Sequence, residues 1–246
     1  MEATFKDEVI YITGSSGGIG FATAKLCLQK GATVVITGRN SKNLKKAEAE
    51  LLKISSLVIA HNLDVSNESE ILESLDAVYR SCGKIDGLVN NAPSIHTGKI
   101  IDMDASYFKE SWETSCFGGF LFSKEVIKCF LKEKTHGTLI FTGASASLRG
   151  KANFGAFNSA KGALRNLAQA IAKEYAEKSI HVGHVIIDGG LAGDRIKNKL
   201  SDFDQRVQDG KLIDIENVTD AYMFLYNQNK NAWSFELDIR TSKENW

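Results

Sequence analysis

The stretch Thr13-Gly14-Ser15-Ser16-Gly17-Gly18-Ile19-Gly20 lies near the start of the chain, between an apolar run at 9–12 and a helical pattern of apolar residues. This order predicts a strand, a glycine-rich turn and a helix. The first glycine of such a turn permits the bend, the second lets the backbone approach a phosphate, and the third lets the helix pack on the strand. Free N–H groups at the start of the helix attract an anion. The stretch therefore predicts a site for a dinucleotide pyrophosphate, formed by Gly14, Ser16, Gly18, Ile19 and Gly20.

The composition favours a folded chain and argues against several classes of partner. The chain has 246 residues, of which 43% are hydrophobic, and a single proline. Basic and acidic residues number 30 each, so charge gives no general attraction to nucleic acid or to an anionic membrane. No apolar run approaches the ~20 residues that span a bilayer. We therefore expect neither nucleic acid nor a membrane as a partner.

The N-terminal residues and the cysteines indicate the cellular compartment, and the cysteines and histidines bear on metal binding. The charged residues 1–8 lack the apolar core of a signal peptide. The cysteines are too widely spaced for a zinc site and fit buried, reduced thiols, which indicates a cytoplasmic location. His181 and His184 are three residues apart on a predicted strand, so they point to opposite faces and cannot chelate one ion. No metal site is predicted.

Apolar runs alternate with helical patterns along the chain. Strands are predicted at 8–13, 32–37, 57–61, 86–90, 137–142, 180–187 and 233–239. Helices are predicted at 19–30, 41–53, 67–82, 104–132 with a break, 155–178 and 215–229, with Ser41 and Ser66 as N-caps. The alternation predicts an α/β fold, with residues 1–246 forming a single domain around a Rossmann-type, doubly wound sheet of about seven parallel strands. Ligands of such a sheet bind at the carboxyl ends of its strands, where residues 190–213 are expected to form a loop that covers the substrate.

The end of the second strand bears on the choice of dinucleotide. NAD sites normally place an acidic residue here to bind the ribose 2′-hydroxyl, but this strand ends Thr37-Gly38-Arg39-Asn40. The guanidinium of Arg39 could pair with a 2′-phosphate, which favours NADP(H) over NAD(H). After the third strand, Asp64 and Val65 lie where an adenine edge could be contacted, although Asp64 could equally flank a helix.

Further motifs extend over nearly the whole chain. Besides the turn, they are Asp64-Val65, Asp86-Gly87-Leu88-Val89-Asn90-Asn91-Ala92, the helix that carries Lys161, and a final strand near 233–237. In these motifs the chain resembles the short-chain dehydrogenase/reductase family. The resemblance implies a Rossmann-type sheet, a nicotinamide cofactor, hydride transfer to or from a small carbonyl or alcohol, and a homodimer or homotetramer. It also implies cofactor contacts from Asn91, Ala92, Lys161 and Gly189.

Several residues depart from the family's Ser, Tyr, Lys and Asn set, of which only Lys161 is kept. The Tyr-x-x-x-Lys pattern appears as Phe157-Asn158-Ser159-Ala160-Lys161, whose spacing puts Phe157 and Lys161 on one helix face. A phenyl ring cannot give and take a proton as a phenol can. By the family's spacing, the serine position is Ala144 and the asparagine falls near Ser115. The pattern looks like that of a divergent subgroup with Phe-x-x-x-Lys.

The candidate catalytic positions are therefore Ser115, Ser145, Phe157 and Lys161. Lys161 is expected to hold the nicotinamide ribose hydroxyls. The proton could come from water, a serine such as Ser145, the substrate itself or, by its position, His96. Two hypotheses remain. One is an NADP(H)-dependent oxidoreductase with atypical proton transfer, and the other is a catalytically impaired cofactor-binding sensor or partner subunit.

Overall fold

The strands of the protein form one parallel sheet. The structure is a computed structural model and describes residues 4–92, 94–95 and 97–244. The strands are β1 (Val9–Ile12), β2 (Thr33–Gly38), β3 (Val58–Asn62), β4 (Gly87–Asn90), β5 (Gly137–Thr142), β6 (Ile180–Asp188) and β7 (Glu236–Arg240). All neighbours in the order β3-β2-β1-β4-β5-β6-β7 are parallel. The order reverses between β1 and β4, which is where ligands of such sheets bind.

Helices cover both faces of the sheet. They are α1 (Gly18–Gln29), α2 (Ser41–Leu51), α3 (Glu68–Cys82), α4 (Ala105–Trp112), α5 (Gly118–Glu133), α6 (Gly155–Tyr175), α7 (Asp194–Lys197), α8 (Phe203–Gln208) and α9 (Ile215–Tyr226). Apolar residues of α1, α2 and α9 pack on one face, and those of α3, α5 and α6 pack on the other. Each face therefore has its own apolar core.

The strands read as continuous apolar runs because both of their faces are buried. Along β2, Val34 and Ile36 belong to the first core, and Val35 belongs to the second. β1 divides in the same way, with Ile10 facing the first core and Tyr11 the second. Successive side chains of a strand point to opposite faces, so a strand in the middle of two helical layers needs apolar residues at every position.

The predicted fold class is confirmed, and each predicted strand is present within about two residues of its predicted bounds, except for the later start of β7. The predicted break between 104 and 132 is a π-helical turn at Glu113–Phe117, which separates α4 from α5. Both predicted N-caps are wrong. The neighbouring Asn40 accepts from the N–H of Asn43, and Asn67 accepts from the N–H of Ser69, because each asparagine holds the extended position directly before its helix.

Residues 190–213 leave the sheet after β6 and return to the same place. The N–H of Ile213 donates to the Gly190 carbonyl at 2.8 Å, and the N–H of Ala192 donates to the Ile213 carbonyl at 2.8 Å. Between these bonds lie α7 and α8, two short helices that the sequence pattern did not predict. The base of the segment is therefore closed by hydrogen bonds, and its role in covering a substrate stays a prediction. Within the described ranges, no helix has both the length and the apolar character needed to cross a membrane.

Candidate functional site

The glycine-rich turn is held by hydrogen bonds to the ends of neighbouring strands. The N–H of Ser15 donates to the Thr37 carbonyl at 2.9 Å, and the Ser15 hydroxyl donates to the Ile12 carbonyl at 2.7 Å. Gly14 has a φ of +61°, and a Cβ added there would lie 2.7 Å from the Ala92 Cα. Position 14 therefore requires glycine for its conformation and for its contact with the segment after β4.

Gly18 and Gly20 have different surroundings at the start of α1. A Cβ at Gly18 would meet open space, whereas a Cβ at Gly20 would lie 2.6 Å from the Gly14 carbonyl oxygen. In the described structure, α1 begins with no side-chain cap and no acidic residue in its first turn. Its first N–H groups are free to bind an anion. The arrangement fits the pyrophosphate of a dinucleotide.

Two other predicted turn residues differ in exposure. The side chain of Ile19 is 8% exposed and belongs to an apolar core, so only its backbone can face a ligand. Ser16 is half-buried beside β2, where a Cβ added at Gly38 would lie 3.0 Å from the Ser16 hydroxyl. Ser16 therefore lies between the turn and the strand that ends at Arg39.

Asn91 joins the turn to the end of β5. Its Nδ2 donates to the Gly14 carbonyl at 3.1 Å, and its Oδ1 accepts from the Thr142 hydroxyl at 3.2 Å. The same hydroxyl is 2.7 Å from the hydroxyl of Tyr222. The Thr142 carbonyl accepts from Lys161 Nζ at 2.6 Å. One buried network therefore connects the glycine-rich turn with Lys161.

Arg39 lies at the end of β2 beside two carboxylates. Its Nη1 is 3.2 Å from Glu110 Oε1 and 3.5 Å from Asp64 Oδ2. The end of β2 itself has no acidic residue, but Asp64 and Glu110 reach Arg39 from other elements. The guanidinium is nevertheless half exposed, and exposed pairs of this kind are weak.

Asp64 shapes the turn that precedes α3. Its Oδ1 accepts from the N–H and the hydroxyl of Ser66 at 2.9 Å and 2.7 Å. Burial raises the pKa of the Asp64 carboxyl, but these hydrogen bonds and the Arg39 guanidinium bring it below its ordinary value. Val65 is buried, and its carbonyl would lie 2.6 Å from a Cβ at Gly118. These contacts favour the helix-flanking role of Asp64, and an adenine contact stays a prediction.

Lys161 is buried in α6, with only 3% of its surface exposed. The Phe157 ring lies one turn earlier, and its centroid is 6.0 Å from Lys161 Nζ, as the spacing of the two residues predicts. Burial lowers the pKa of the ammonium to about 8, and the nearby Cys116 thiol opposes this shift. The site therefore combines a buried cation with an aromatic ring that carries no proton to exchange.

Ser145 and Ser147 have different surroundings in the segment after β5. The Ser147 hydroxyl is buried, lies 3.4 Å from His184 Nε2 and accepts from the N–H of Ala144 at 3.2 Å. Ser145 is half-buried, and its hydroxyl has no hydrogen-bond partner within the described ranges. Ser145 is therefore the serine whose hydroxyl is available to a ligand.

A hydrogen-bond chain lies behind Ser147. His184 Nδ1 is 2.9 Å from Glu236 Oε2, and Glu236 accepts from Arg165 Nε at 2.6 Å and from Nη2 at 2.8 Å. Burial lowers the pKa of His184 to about 4, although Glu236 opposes the shift. These hydrogen bonds join the segment after β5 to β6, β7 and α6. No local sequence pattern indicates it, because its members are distant along the chain.

Ser115, at the asparagine position, lies in the π-helical turn at Glu113–Phe117. The Ser115 and Thr114 hydroxyls and Asn90 Oδ1 are buried and have no partner in the part of the chain that the structure describes. All three residues line one small cavity beside Ala92. Buried polar atoms without partners are costly, so this cavity is where a bound group could add hydrogen bonds.

Asp188 is fixed at the end of β6 by two arginines that the sequence analysis did not identify. Arg149 Nη2 donates to both carboxylate oxygens at 3.0 Å and 2.9 Å, and Arg240 Nη1 lies 3.3 Å from Oδ2. Gly189 follows with a φ of +154°, a conformation that favours glycine. His96, the alternative proton donor, lies outside the described residues.

Comparison with known proteins points to one family. A family model described as short chain dehydrogenase matches residues 8–200. A 2-dehydro-3-deoxy-D-gluconate 5-dehydrogenase of Formosa agariphila is 32% identical over 181 residues, which are 73% of this chain and 68% of that protein. A 2-(S)-hydroxypropyl-CoM dehydrogenase of Xanthobacter autotrophicus is 31% identical over 75% of this chain and 72% of its own length.

A solved structure is similar over almost the whole chain. A short-chain dehydrogenase from Rhodopseudomonas palustris has a TM-score of 0.80 and 31% identity, and the match covers 96% of this chain and 99% of the other. The family model's match ends at residue 200, so β7 lies beyond it.

Proposed function

This chain belongs to the short-chain dehydrogenase/reductase family of oxidoreductases, and from that premise we propose that it transfers a hydride between NADP(H) and a small carbonyl or alcohol in the cytoplasm. The observation that carries the proposal is the buried network that runs from the glycine-rich turn through Asn91 and Thr142 to Lys161. This network connects the place that suits a pyrophosphate with the place that suits a nicotinamide ribose.

Different residues of the site bind different parts of the dinucleotide. The N–H groups at the start of α1 bind the pyrophosphate, because they are free and lie at the positive end of the helix dipole. Lys161 Nζ has donors left for the ribose hydroxyls beyond its one bond to Thr142. When bound, the nicotinamide supplies or accepts the hydride. Asp188 and Gly189 lie at the end of β6 and border the site. Arg149 binds the Asp188 carboxylate there.

Arg39 supports NADP(H) over NAD(H). Its half-exposed guanidinium can form charge-assisted hydrogen bonds with a 2′-phosphate in place of its weak pairs with Asp64 and Glu110. We expect Arg39→Ala to weaken NADPH binding by at least about tenfold, the loss of one such contact, and to leave NADH binding unchanged. Fluorescence titration measures both, with the exposed Lys42→Ala as a control for lost positive charge. An equal effect on both cofactors would contradict the NADP(H) assignment.

Proton transfer distinguishes the proposal from a cofactor-binding sensor or partner subunit. The Phe157 ring lies beside Lys161 and has no hydroxyl, and a positioned general acid contributes about 10²–10⁴-fold to rate. We therefore expect slow turnover by the natural protein on a panel of ketones, followed at the nicotinamide absorbance, and a large gain from Phe157→Tyr. Phe157→Leu is the control and should give no gain. Firm NADPH binding without turnover in any variant would favour the sensor.

A further inference from the structure

Lys161 is a buried cation that has no counter-charge among the described residues. Its side chain is 3% exposed, and its Nζ donates to the Thr142 carbonyl at 2.6 Å. In the described ranges, no carboxylate lies within ion-pair distance of its Nζ. A buried ammonium normally has an ionic partner, because desolvation strongly disfavours the charged form. The fold therefore holds Lys161 in surroundings that favour the loss of a proton.

The groups that face Lys161 do not neutralise it. The Cys116 thiol approaches from the π-helical turn, and His184 approaches from β6. Within α6, Arg165 forms an ion pair with Glu236, and Phe157 faces Lys161 with an uncharged aromatic ring. His184 stays neutral near pH 7, since burial lowers its pKa to about 4.

The other groups with exchangeable protons are poorer donors to a ligand. Glu236 is ionised between Arg165 and His184, so it can only accept in its hydrogen bond with His184 Nδ1. Nδ1 therefore carries the proton of the neutral imidazole, and Nε2 is an acceptor without a proton. The Ser147 hydroxyl therefore points its hydrogen at His184, away from a ligand. Burial raises the pKa of the Cys116 thiol. Ser145 is open, but a neutral aliphatic hydroxyl is a far weaker acid than an ammonium.

We infer that the Lys161 ammonium is the proton donor in carbonyl reduction and takes the place of the missing phenol. The inference rests on the proposed function. The carbonyl carbon gains the hydride that NADPH supplies, and the pair of electrons of the C=O π bond moves to oxygen. That oxygen takes a proton from Lys161 Nζ, which becomes a neutral amine and later regains a proton from solvent. The products are the alcohol and NADP⁺.

The acidity of Lys161 suits this role. Burial lowers its pKa to about 8, and the Cys116 thiol opposes the shift. General acids work best when their pKa lies near the working pH. The donor must be protonated, so the rate of reduction should be constant at low pH and fall as the pH rises through the pKa of Lys161.

The first test compares Lys161→Arg with the natural protein on a reactive 1,2-diketone and NADPH. Arginine keeps the positive charge but does not release a proton in this range. We expect kcat to fall by at least about 10²-fold, the contribution of a general acid, while NADPH affinity changes little. Lys173→Arg, an exposed change on the same helix, should leave kcat unchanged. A Lys161→Arg variant that folds by circular dichroism and keeps its kcat would overturn the inference.

The second test does not depend on turnover. Nitrogen-15 NMR of the lysine ammonium groups, assigned with Lys161→Met, gives the pKa of Lys161 with and without NADP⁺. We expect a value near 8 without cofactor, and a value above 10 in both states would overturn the inference. Failure to bind NADPH would instead contradict the proposed function. NADPH binding together with a Lys161 pKa above 10 would contradict only the role of the lysine.

Discussion

Lys161 connects the stability of the protein with its proposed chemistry. Its ammonium is buried, bonded to one carbonyl and placed beside the Phe157 ring. The residue types at 157 and 161 are visible in the sequence, and so is their shared helix face. The burial of the ammonium is not visible there, nor is the lack of a carboxylate partner among the described residues. Both depend on Thr142, Cys116 and His184 from three other elements.

Lys161→Met should stabilise the protein at neutral pH. Burial shifts the pKa of Lys161 from 10.5 to about 8, which corresponds to about 3 kcal/mol at neutral pH. Between these values the unfolded chain binds the proton more tightly than the folded protein, so the free energy of unfolding rises with pH across this window. Urea unfolding at pH 7 should show the variant to be about 1–3 kcal/mol more stable.

That gain should shrink as the pH rises from about 8 to 10.5, because the natural lysine becomes neutral in both states only above its unfolded pKa. The exposed Lys173→Met on the same helix is the matched control and should change stability little. A Lys161→Met protein that is less stable than the natural one at pH 7 would contradict this, since it would show that contacts in the fold outweigh the cost of burying the ammonium.

At the scale of elements, the glycine-rich turn and the first turn of α1 form one unit with the end of β4. A Cβ at Gly20 would lie 2.6 Å from the Gly14 carbonyl oxygen and 2.6 Å from Asn91 Nδ2. Gly20→Ala must therefore displace the turn or the amide that holds it. We expect NADPH affinity to fall by more than about tenfold, since several charge-assisted hydrogen bonds depend on this geometry.

Gly162→Ala is the matched control for that change. Gly162 lies within α6, and a Cβ there would meet no atom within 4 Å apart from its own stretch of helix backbone. Alanine in a helix interior should stabilise by up to about 1 kcal/mol and leave cofactor affinity unchanged. If calorimetric titration gave equal NADPH affinities for both variants, the turn would not be the binding element.

Local patterns predicted the elements well but not the contacts between them. The turn at 13–20 and the apolar run at 180–187 are each a local pattern. The first correctly predicted the turn between β1 and α1, and the second correctly predicted β6. The acids beside Arg39 come from Asp64 and Glu110, which follow other strands. The sequence did not predict these two ion pairs, since a sequence pattern does not show which distant side chains lie at the same strand end.

At the scale of the whole molecule, an exposed aromatic surface supports the expected homodimer or homotetramer. The Phe117 ring stacks with Trp112 at 5.7 Å and with Phe120 at 6.0 Å between centroids. Trp112 and Phe120 each keep 40% exposure. A contiguous apolar surface of this kind is typical of a protein interface. We propose that α4 and α5 of one copy pack against those of a second copy.

Phe120→Glu should separate the copies, because it places a charge inside that surface. Light scattering after size exclusion should give the mass of a dimer or tetramer for the natural protein and a smaller mass for the variant. Leu52→Glu, which alters a similarly exposed residue at the end of α2, should leave the mass unchanged. A monomeric natural protein would contradict the expected assembly.

Amide hydrogen exchange, measured by mass spectrometry with and without saturating NADPH, tests directly whether the glycine-rich turn binds the cofactor. Free N–H groups at the start of α1 should bind the pyrophosphate. We therefore predict that NADPH slows exchange most in peptides that cover 13–20, with further slowing around Asn91 and Lys161. Unchanged exchange across 13–20 at a concentration that saturates the protein would contradict the claim that this turn holds the cofactor.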